Sequence, residues 1–280
     1  MTDLHNQSET FLLAGELEVH RLGFGAMRIT GEGVWGPPAD REDARLVLRR
    51  AVDLGIDLID TADSYGPNVS EELIAEALYP YPEGLVIATK GGQLRPGPGK
   101  WEPDGSPEHL REVPEGSLKR LRLERIDLYQ LHRPDPKVPF DESVGALAEW
   151  QREGVIRFVG LSNVSVEQLE TARGITRIAS VQNRYNLADR GSQQVVDRCE
   201  ELGIAFIPWK PINTGKLDGV VEGVAARHKA TAAQVALAWL LHSSPVHLPI
   251  PGTSSVAHLE ENVAAGVIQL DEDDMVKLAD

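Results

Sequence analysis

The sequence is short of cysteine, of basic residues and of long apolar runs, and each shortage excludes a class of protein. Cys199 is the only cysteine in 280 residues, so a disulfide scaffold of an oxidising compartment is excluded. Lys and Arg number 28 against 43 for Asp and Glu, and this net charge of −15 argues against nucleic acid or a membrane as the main partner. No apolar stretch approaches the roughly 20 residues of a membrane-spanning helix.

The N-terminal residues 1–10 are polar and contain neither the basic start nor the apolar block of a secretory signal. We therefore expect a cytoplasmic protein. The chain has no linker, no low-complexity segment and no break in composition. Because α/β barrels routinely reach about 250 residues as one domain, we predict a single domain over residues 1–280.

Short apolar runs rich in Val and Ile alternate with longer amphipathic runs along the whole chain. The short runs are typical of buried parallel strands, and the long runs are typical of helices that cover a sheet. Eight strand candidates occupy 20–27, 57–63, 85–92, 126–132, 155–163, 178–186, 204–211 and 246–253. Eight helix candidates occupy 41–55, 69–80, 106–123, 141–154, 165–174, 192–203, 230–243 and 255–266. This alternation predicts an α/β fold with a parallel sheet.

Eight βα units can close as a (β/α)8 TIM barrel or open as a doubly wound sheet. The count and the length favour the barrel, and the absence of a GxGxxG fingerprint weakens the dinucleotide-binding sheet. Residues 11–19 are predicted to form an N-terminal β-hairpin that caps the bottom of the barrel. The Pro- and Gly-rich residues 91–105 are predicted to be a loop that could close over a ligand, and 218–229 to be an extra helix.

Polar side chains end three neighbouring predicted strands, where a barrel enzyme places its chemistry. Lys90 closes a buried strand, so its ammonium needs an anion, which Asp60 on the preceding strand can supply. An ammonium beside Tyr65 would lower the pKa of that phenol and make it a proton donor nearer neutral pH. His132 could then hydrogen-bond the oxygen that receives the proton.

Each of these residues also has an ordinary structural explanation, an ion pair for Asp60 and Lys90 and a core histidine for His132. All four falling at consecutive strand ends favours an active site over coincidence. A metal-dependent hydrolase is not expected, because the other seven histidines are scattered and no two have HxH or HExxH spacing.

Five motifs together resemble the aldo-keto reductase superfamily. They are GIDLIDTADSYG (55–66), VIATKGG (86–92), IDLYQLHRPD (126–135), VGLSN (159–163) and VQNRYN (181–186). The resemblance extends from Arg21 to Leu278 and implies a (β/α)8 barrel that binds NADPH without a Rossmann fold. It implies a catalytic tetrad of Asp60, Tyr65, Lys90 and His132. The implied reaction is reduction of an aldehyde or ketone by hydride transfer, with Tyr65 protonating the carbonyl oxygen.

The resemblance also implies positions for the cofactor. The nicotinamide end falls on Ser162, Asn163, Gln182 and Trp209. The adenosine end falls on Gly252, Thr253 and Ser254, which lead into a helix N-terminus that can bind phosphate, and on His258, Glu261 and Asn262. Many relatives carry Lys or Arg near 252–254 or Arg at 258, and this chain does not. NADH is therefore not excluded as the cofactor, and Lys210 or Lys216 could supply the missing charge.

The substrate, expected to be a small carbonyl compound, has pocket candidates in three loop residues, Trp35, Trp101 and Arg133. The segments 31–41, 76–84, 162–169, 182–190 and 248–262 are similar to bacterial pyridoxal reductases, which implies reduction of pyridoxal to pyridoxine. The alternative is a barrel that holds NADPH and docks a partner without turnover, and the intact tetrad weighs against it. The sequence leaves the oligomeric state open.

Overall fold

The computed structural model describes residues 5–213 and 218–279. Its central feature is a curled sheet of seven parallel strands, which follow one another around the sheet in chain order. They are β3 (Phe24–Gly25), β4 (Leu58–Asp60), β5 (Val86–Gly91), β8 (Ile126–Leu131), β9 (Ile156–Ser162), β10 (Ile178–Gln182) and β11 (Ala205–Phe206). All side chains of β4, β5 and β10 are buried, as their apolar sequences predict.

Residues 246–250 close the sheet into a barrel. The backbone of Phe206 donates to Val246 O at 2.8 Å and accepts from Leu248 N at 2.8 Å, while Gly23 N donates to Pro249 O at 3.0 Å. The eighth predicted strand thus joins both edges, although its ladder is too short to count as a regular strand. Proline at 249 and 251 explains this, because proline has no N–H to donate. The predicted α/β barrel is confirmed.

A helix follows each barrel strand, in agreement with the predicted alternation. These helices are α1 (Arg41–Asp53), α2 (Val69–Leu78), α3 (Pro107–Leu121), α4 (Phe140–Arg152), α5 (Val166–Arg173), α6 (Gln193–Leu202), α8 (Ala232–Ser243) and α9 (Val256–Val263). The predicted extra helix is α7 (Asp218–His228). A further helix, α10 (Glu272–Ala279), was missed by the sequence reading. No helix in residues 5–213 and 218–279 is long and apolar enough to cross a bilayer.

The N-terminal hairpin pairs β1 (Thr10–Leu13) with β2 (Leu17–His20) in antiparallel register. Ala14 and Gly15 form its turn with φ of 49° and 66°. Its buried Leu13 and Val19 share one apolar cluster with barrel residues that include Leu58, Val86 and Leu128. The hairpin therefore covers the amino ends of the strands, as predicted, and leaves the carboxyl ends open.

The segment 91–105 is more ordered than a simple loop. It contains two short antiparallel strands, β6 (Gln93–Leu94) and β7 (Glu102–Pro103). The predicted loop therefore contains a short β-hairpin that the sequence did not indicate. The proline and glycine content reflects the turn at 95–101 that joins the two strands.

Candidate active site

A buried ion pair lies at the carboxyl ends of β4 and β5. The side chain of Lys90 has no exposed surface, and its Nζ donates to Asp60 Oδ1 at 2.5 Å and to Thr61 O at 2.8 Å. A third contact, at 3.4 Å, reaches the hydroxyl of Tyr65. These three contacts account for the three donors of an ammonium, so Lys90 is charged and fixed in place.

Two side-chain amides satisfy the other oxygen of Asp60. Gln130 Nε2 and Gln182 Nε2 donate to Asp60 Oδ2 at 3.0 Å and 2.8 Å. A buried carboxylate is stable when its lone pairs are satisfied, so these amides complete the pair with Lys90. The sequence reading missed Gln130, although it stands two residues before His132 on a strand that was correctly predicted.

Tyr65 lies between this ion pair and a large cavity. It is 7 % exposed, and its ring packs edge-on against His132 with ring centres 5.8 Å apart. Burial raises the pKa of the Tyr65 phenol above its ordinary value, and the opposing charge of Lys90 offsets this only in part. The expectation that Lys90 makes the pKa of the phenol lower overall is therefore wrong. The phenol is protonated at neutral pH.

Asp63, which precedes Tyr65 by two residues, is also buried and has a raised pKa. Burial and the nearby Glu71 raise the pKa of Asp63 to about 8, against the opposing charges of Arg120 and Lys90. A charged carboxylate here would repel negative charge on Tyr65. The raised pKa of Asp63 therefore places less negative charge beside Tyr65.

His132 is half-buried and uncharged. Burial, followed by the charges of Lys90, Arg133 and Arg95, holds the pKa of His132 well below its ordinary value. Its Nδ1 lies 3.3 Å from Ser64 Oγ. The tautomer that accepts this hydroxyl at Nδ1 carries its proton on Nε2, which leaves one N–H donor.

These groups face a cavity of about 1000 Å³ at the carboxyl end of the barrel. Predicted site residues that line it are Asp60, Tyr65, Trp101, His132, Arg133, Ser162, Asn163, Gln182, Trp209, Lys210 and Gly252. Three residues from the end of β3 also line it and were missed, Gly25, Met27 and Arg28. Arg28 follows the first predicted strand directly, so a search of the strand ends for polar residues could also have selected it.

The cavity amides are braced by the protein itself. Asn163, with a left-handed φ of 61°, donates to His132 O at 3.1 Å and Ser162 Oγ at 3.0 Å, and accepts from Trp209 Nε1 at 3.1 Å. Gln182 donates to Asp60. Both amide nitrogens are therefore engaged. An amide oxygen has two lone pairs, so Asn163 Oδ1 and Gln182 Oε1 can each accept a hydrogen bond from a ligand. A carboxamide N–H₂ would fit these acceptors.

On the β3 side of the cavity the backbones of Gly25 and Gly252 are in close contact. A Cβ at Gly252 would lie 2.5 Å from Gly25 O, so only glycine fits there. This explains why position 252 carries no lysine. Arg28 lies beside the same place, since its Cγ is 3.6 Å from the position of that Cβ, and its side chain lines the cavity.

The remaining predicted cofactor residues lie at or beside α9, outside the lining of the cavity. Thr253 is buried and accepts from Ser255 N at 3.0 Å, while Ser254 and His258 are exposed at the start of the helix. Glu261 accepts from Thr231 Oγ1 at 2.5 Å, and Asn262 is buried. Ser255 caps the helix, which the sequence reading had not assigned.

The substrate-pocket candidates fall in different places. Trp101 faces both Tyr65 and His132 with ring centres 6.4 Å apart, and Arg133 lies exposed at the cavity rim. Trp35 does not line the cavity. Lys210 is exposed at the rim with a φ of 58°, and Lys216 lies outside the described residues. Residues 5–213 and 218–279 contain no cluster of three or more potential metal ligands among His, Cys, Asp and Glu.

A parallel barrel with a buried acid–base group at the carboxyl ends of its strands defines the protein as a (β/α)8-barrel enzyme. The family model "Aldo/keto reductase family" matches residues 21–280. The chain belongs to this family and is an oxidoreductase.

Three similar proteins support the assignment. An uncharacterised oxidoreductase of Schizosaccharomyces pombe is 49 % identical over 94 % of this chain and 87 % of its own. Pyridoxine 4-dehydrogenase of Escherichia coli is 45 % identical over 95 % of this chain and 96 % of its own. The crystal structure of an aldo/keto reductase from Klebsiella pneumoniae with NADP and acetate superimposes with a TM-score of 0.81 at 26 % identity, covering 97 % and 94 % of the two chains.

Proposed function

We propose that the protein is an NADPH-dependent reductase that converts an aldehyde or ketone to an alcohol, with Tyr65 as the proton donor. One observation carries the proposal. A buried ammonium, Lys90 Nζ, contacts both a carboxylate oxygen of Asp60 at 2.5 Å and the Tyr65 hydroxyl at 3.4 Å, at the wall of the large cavity.

The four residues Asp60, Tyr65, Lys90 and His132 each have a separate part in the proposed mechanism. When bound, a nicotinamide cofactor would supply the hydride for the carbonyl carbon. Negative charge then develops on the carbonyl oxygen, where Tyr65 delivers its proton and the Nε2–H of His132 holds the oxygen in position. Lys90 stabilises the phenolate that remains, and Asp60 keeps Lys90 charged and oriented.

The cofactor proposal rests on the donors and acceptors around the cavity. Ser162, Asn163 and Gln182 offer oxygen atoms to a carboxamide, and the half-buried ring of Trp209 offers a face for the nicotinamide. Arg28 and Lys210 place two exposed cations on the rim, suited to phosphate groups. NADH is the competing cofactor, because the positions at 252, 254 and 258 lack Lys and Arg.

Pyridoxal is the candidate substrate. The Escherichia coli relative is named for the oxidation of pyridoxine, and the 45 % identity extends over nearly the full length of both chains. In this chain Trp101 presents an indole ring beside Tyr65 and His132, and a flat aromatic aldehyde could pack against it.

A panel of aldehydes and ketones, run in parallel with NADPH and NADH, tests this function. We expect pyridoxal to consume NADPH, and NADPH to be preferred over NADH by about tenfold or more, the effect of one charge-assisted contact to phosphate. The readout is the loss of absorbance of the reduced nicotinamide. Consumption with other aldehydes but not pyridoxal would leave only the broader function. Cofactor binding without turnover of any compound on the panel would favour the alternative function, a barrel that holds NADPH and docks a partner.

A further inference from the structure

Arg95 ties three loops together beside the active site. It follows β6 and is only 9 % exposed. Its Nε donates to Lys100 O at 3.0 Å, within its own loop. Its Nη1 donates to Val34 O at 2.7 Å and Ser64 O at 3.1 Å, and its Nη2 donates to Gly33 O at 3.2 Å. Four of the five donors of the guanidinium are therefore used on backbone carbonyls.

Two of these carbonyls, those of Gly33 and Val34, belong to a turn in the left-handed backbone conformation. Gly33 has a φ of 67° and Val34 has a φ of 56°. A left-handed conformation is unfavourable for a β-branched residue such as Val34 and persists only where the surroundings enforce it. Arg95 supplies part of that enforcement, because it binds the carbonyl oxygens of both residues.

The same guanidinium stacks on Trp101. Its central carbon lies 3.6 Å from the centre of the Trp101 ring and 5.5 Å from the centre of the Trp35 ring. Trp101 is 37 % exposed, so the protein surrounds it only in part. The stacked Arg95 is thus a principal contact that sets the position of the indole, which in turn faces Tyr65 and His132 at 6.4 Å.

We propose that Arg95 is a positioning residue that holds Trp101 against Tyr65 and His132 and thereby makes the site selective for planar aromatic aldehydes. The inference rests on the proposed reductase function. A flat ring can pack on the fixed indole while its aldehyde group lies at the Tyr65 hydroxyl, whereas a short aliphatic aldehyde gains little from that wall. Lysine cannot replace arginine here, since it lacks the planar face and the forked donors.

The test measures kcat and KM for benzaldehyde and propanal in wild type, Arg95→Lys, Trp101→Ala and the double variant. Arg95→Lys is expected to raise the KM for benzaldehyde about tenfold or more, while the KM for propanal and both kcat values stay within about threefold. Trp101→Ala is expected to show the same split. In the double variant the effects should not add, because Arg95 acts through Trp101.

Arg122→Lys is the matched control. Arg122 also stacks on an aromatic ring, that of Tyr79 at 5.4 Å, but it is exposed and does not line the cavity. Its variant is expected to keep both KM values. The affinity for NADPH and the melting temperature of each variant are measured alongside.

Three results would overturn the inference. Arg95→Lys could lower turnover of both aldehydes equally, its effect could add in full to that of Trp101→Ala, or Trp101→Ala could keep the wild-type preference. If Arg95→Lys does not fold, Trp101→Ala still tests whether the indole sets the preference for benzaldehyde, and an unchanged preference overturns the inference. A wild type that reduces pyridoxal but shows no change in either variant defeats only this inference. A wild type that reduces no carbonyl compound defeats the proposed function as well.

Discussion

Replacing Tyr65 by Phe lowers kcat for carbonyl reduction by about 10³-fold, within the range of roughly 10² to 10⁴ that general acid catalysis contributes. The substitution removes one hydroxyl and keeps the ring that packs edge-on against Trp101 and His132. NADPH should therefore bind with unchanged affinity. Steady-state turnover and a fluorescence titration of NADPH measure the two effects separately.

Tyr129→Phe provides the matched control for this experiment. Tyr129 lies on β8, is fully buried, and its hydroxyl has no hydrogen-bond partner within residues 5–213 and 218–279. Loss of that hydroxyl is expected to leave kcat unchanged. If Tyr65→Phe keeps more than a small fraction of wild-type turnover, Tyr65 is not the proton donor.

Replacing Lys90 by Met is expected to cost both activity and stability. The ammonium is fully buried against Asp60, so its removal leaves a buried carboxylate with only the amides of Gln130 and Gln182. Removing one partner of a buried ion pair typically costs about 3–5 kcal/mol of unfolding free energy. Turnover is expected to fall by about 10²-fold or more, because the phenolate of Tyr65 loses its neighbouring cation.

The double variant Asp60→Asn/Lys90→Met distinguishes the two losses. It removes the uncompensated charge, so it should regain a large part of the unfolding free energy in a urea titration. It should not regain turnover, because no ammonium is present beside Tyr65. A Lys90→Met protein as stable as wild type, or a double variant no more stable than the single one, would contradict the structural account of this pair.

Local sequence predicted the barrel because its strands are buried on both faces. The run 85–89 has no alternation and is followed directly by Lys90, which marks both the strand and its carboxyl end. The eighth strand was placed correctly, but its two prolines limit the ladder to a few hydrogen bonds. Helix α10 could have been predicted, because Asp271 accepts from Asp274 N and the acidic first turn, Glu272 to Asp274, is typical of a helix N-terminus.

The contact between Asp60 and Lys90 could be predicted, because a lysine at the end of a buried strand needs an anion and the preceding strand can supply it. The direction of the Tyr65 pKa shift could not be predicted from the sequence, because desolvation depends on everything that packs around the phenol. The hydrogen bond from Gln182 to Asp60 could not be predicted either, because the sequence does not show which way a side-chain amide points. The role of Arg95 could not be predicted, because it binds the backbone carbonyls of Gly33 and Val34, which lie 62 and 61 residues away in the sequence.

The central claim is that Tyr65 acts as a protonated phenol with a raised pKa, and the pH dependence of kcat in both directions tests it most directly. A pKa above the ordinary value of about 10 keeps the acid form fully populated from about pH 6 to about pH 9. We therefore predict that kcat for carbonyl reduction stays constant over this range, while kcat for alcohol oxidation, which needs the ionised phenol, rises with pH. This pattern should disappear in Tyr65→Phe. A reduction rate that falls between about pH 7 and about pH 8 in the wild type, or the same profile in Tyr65→Phe, would contradict the claim.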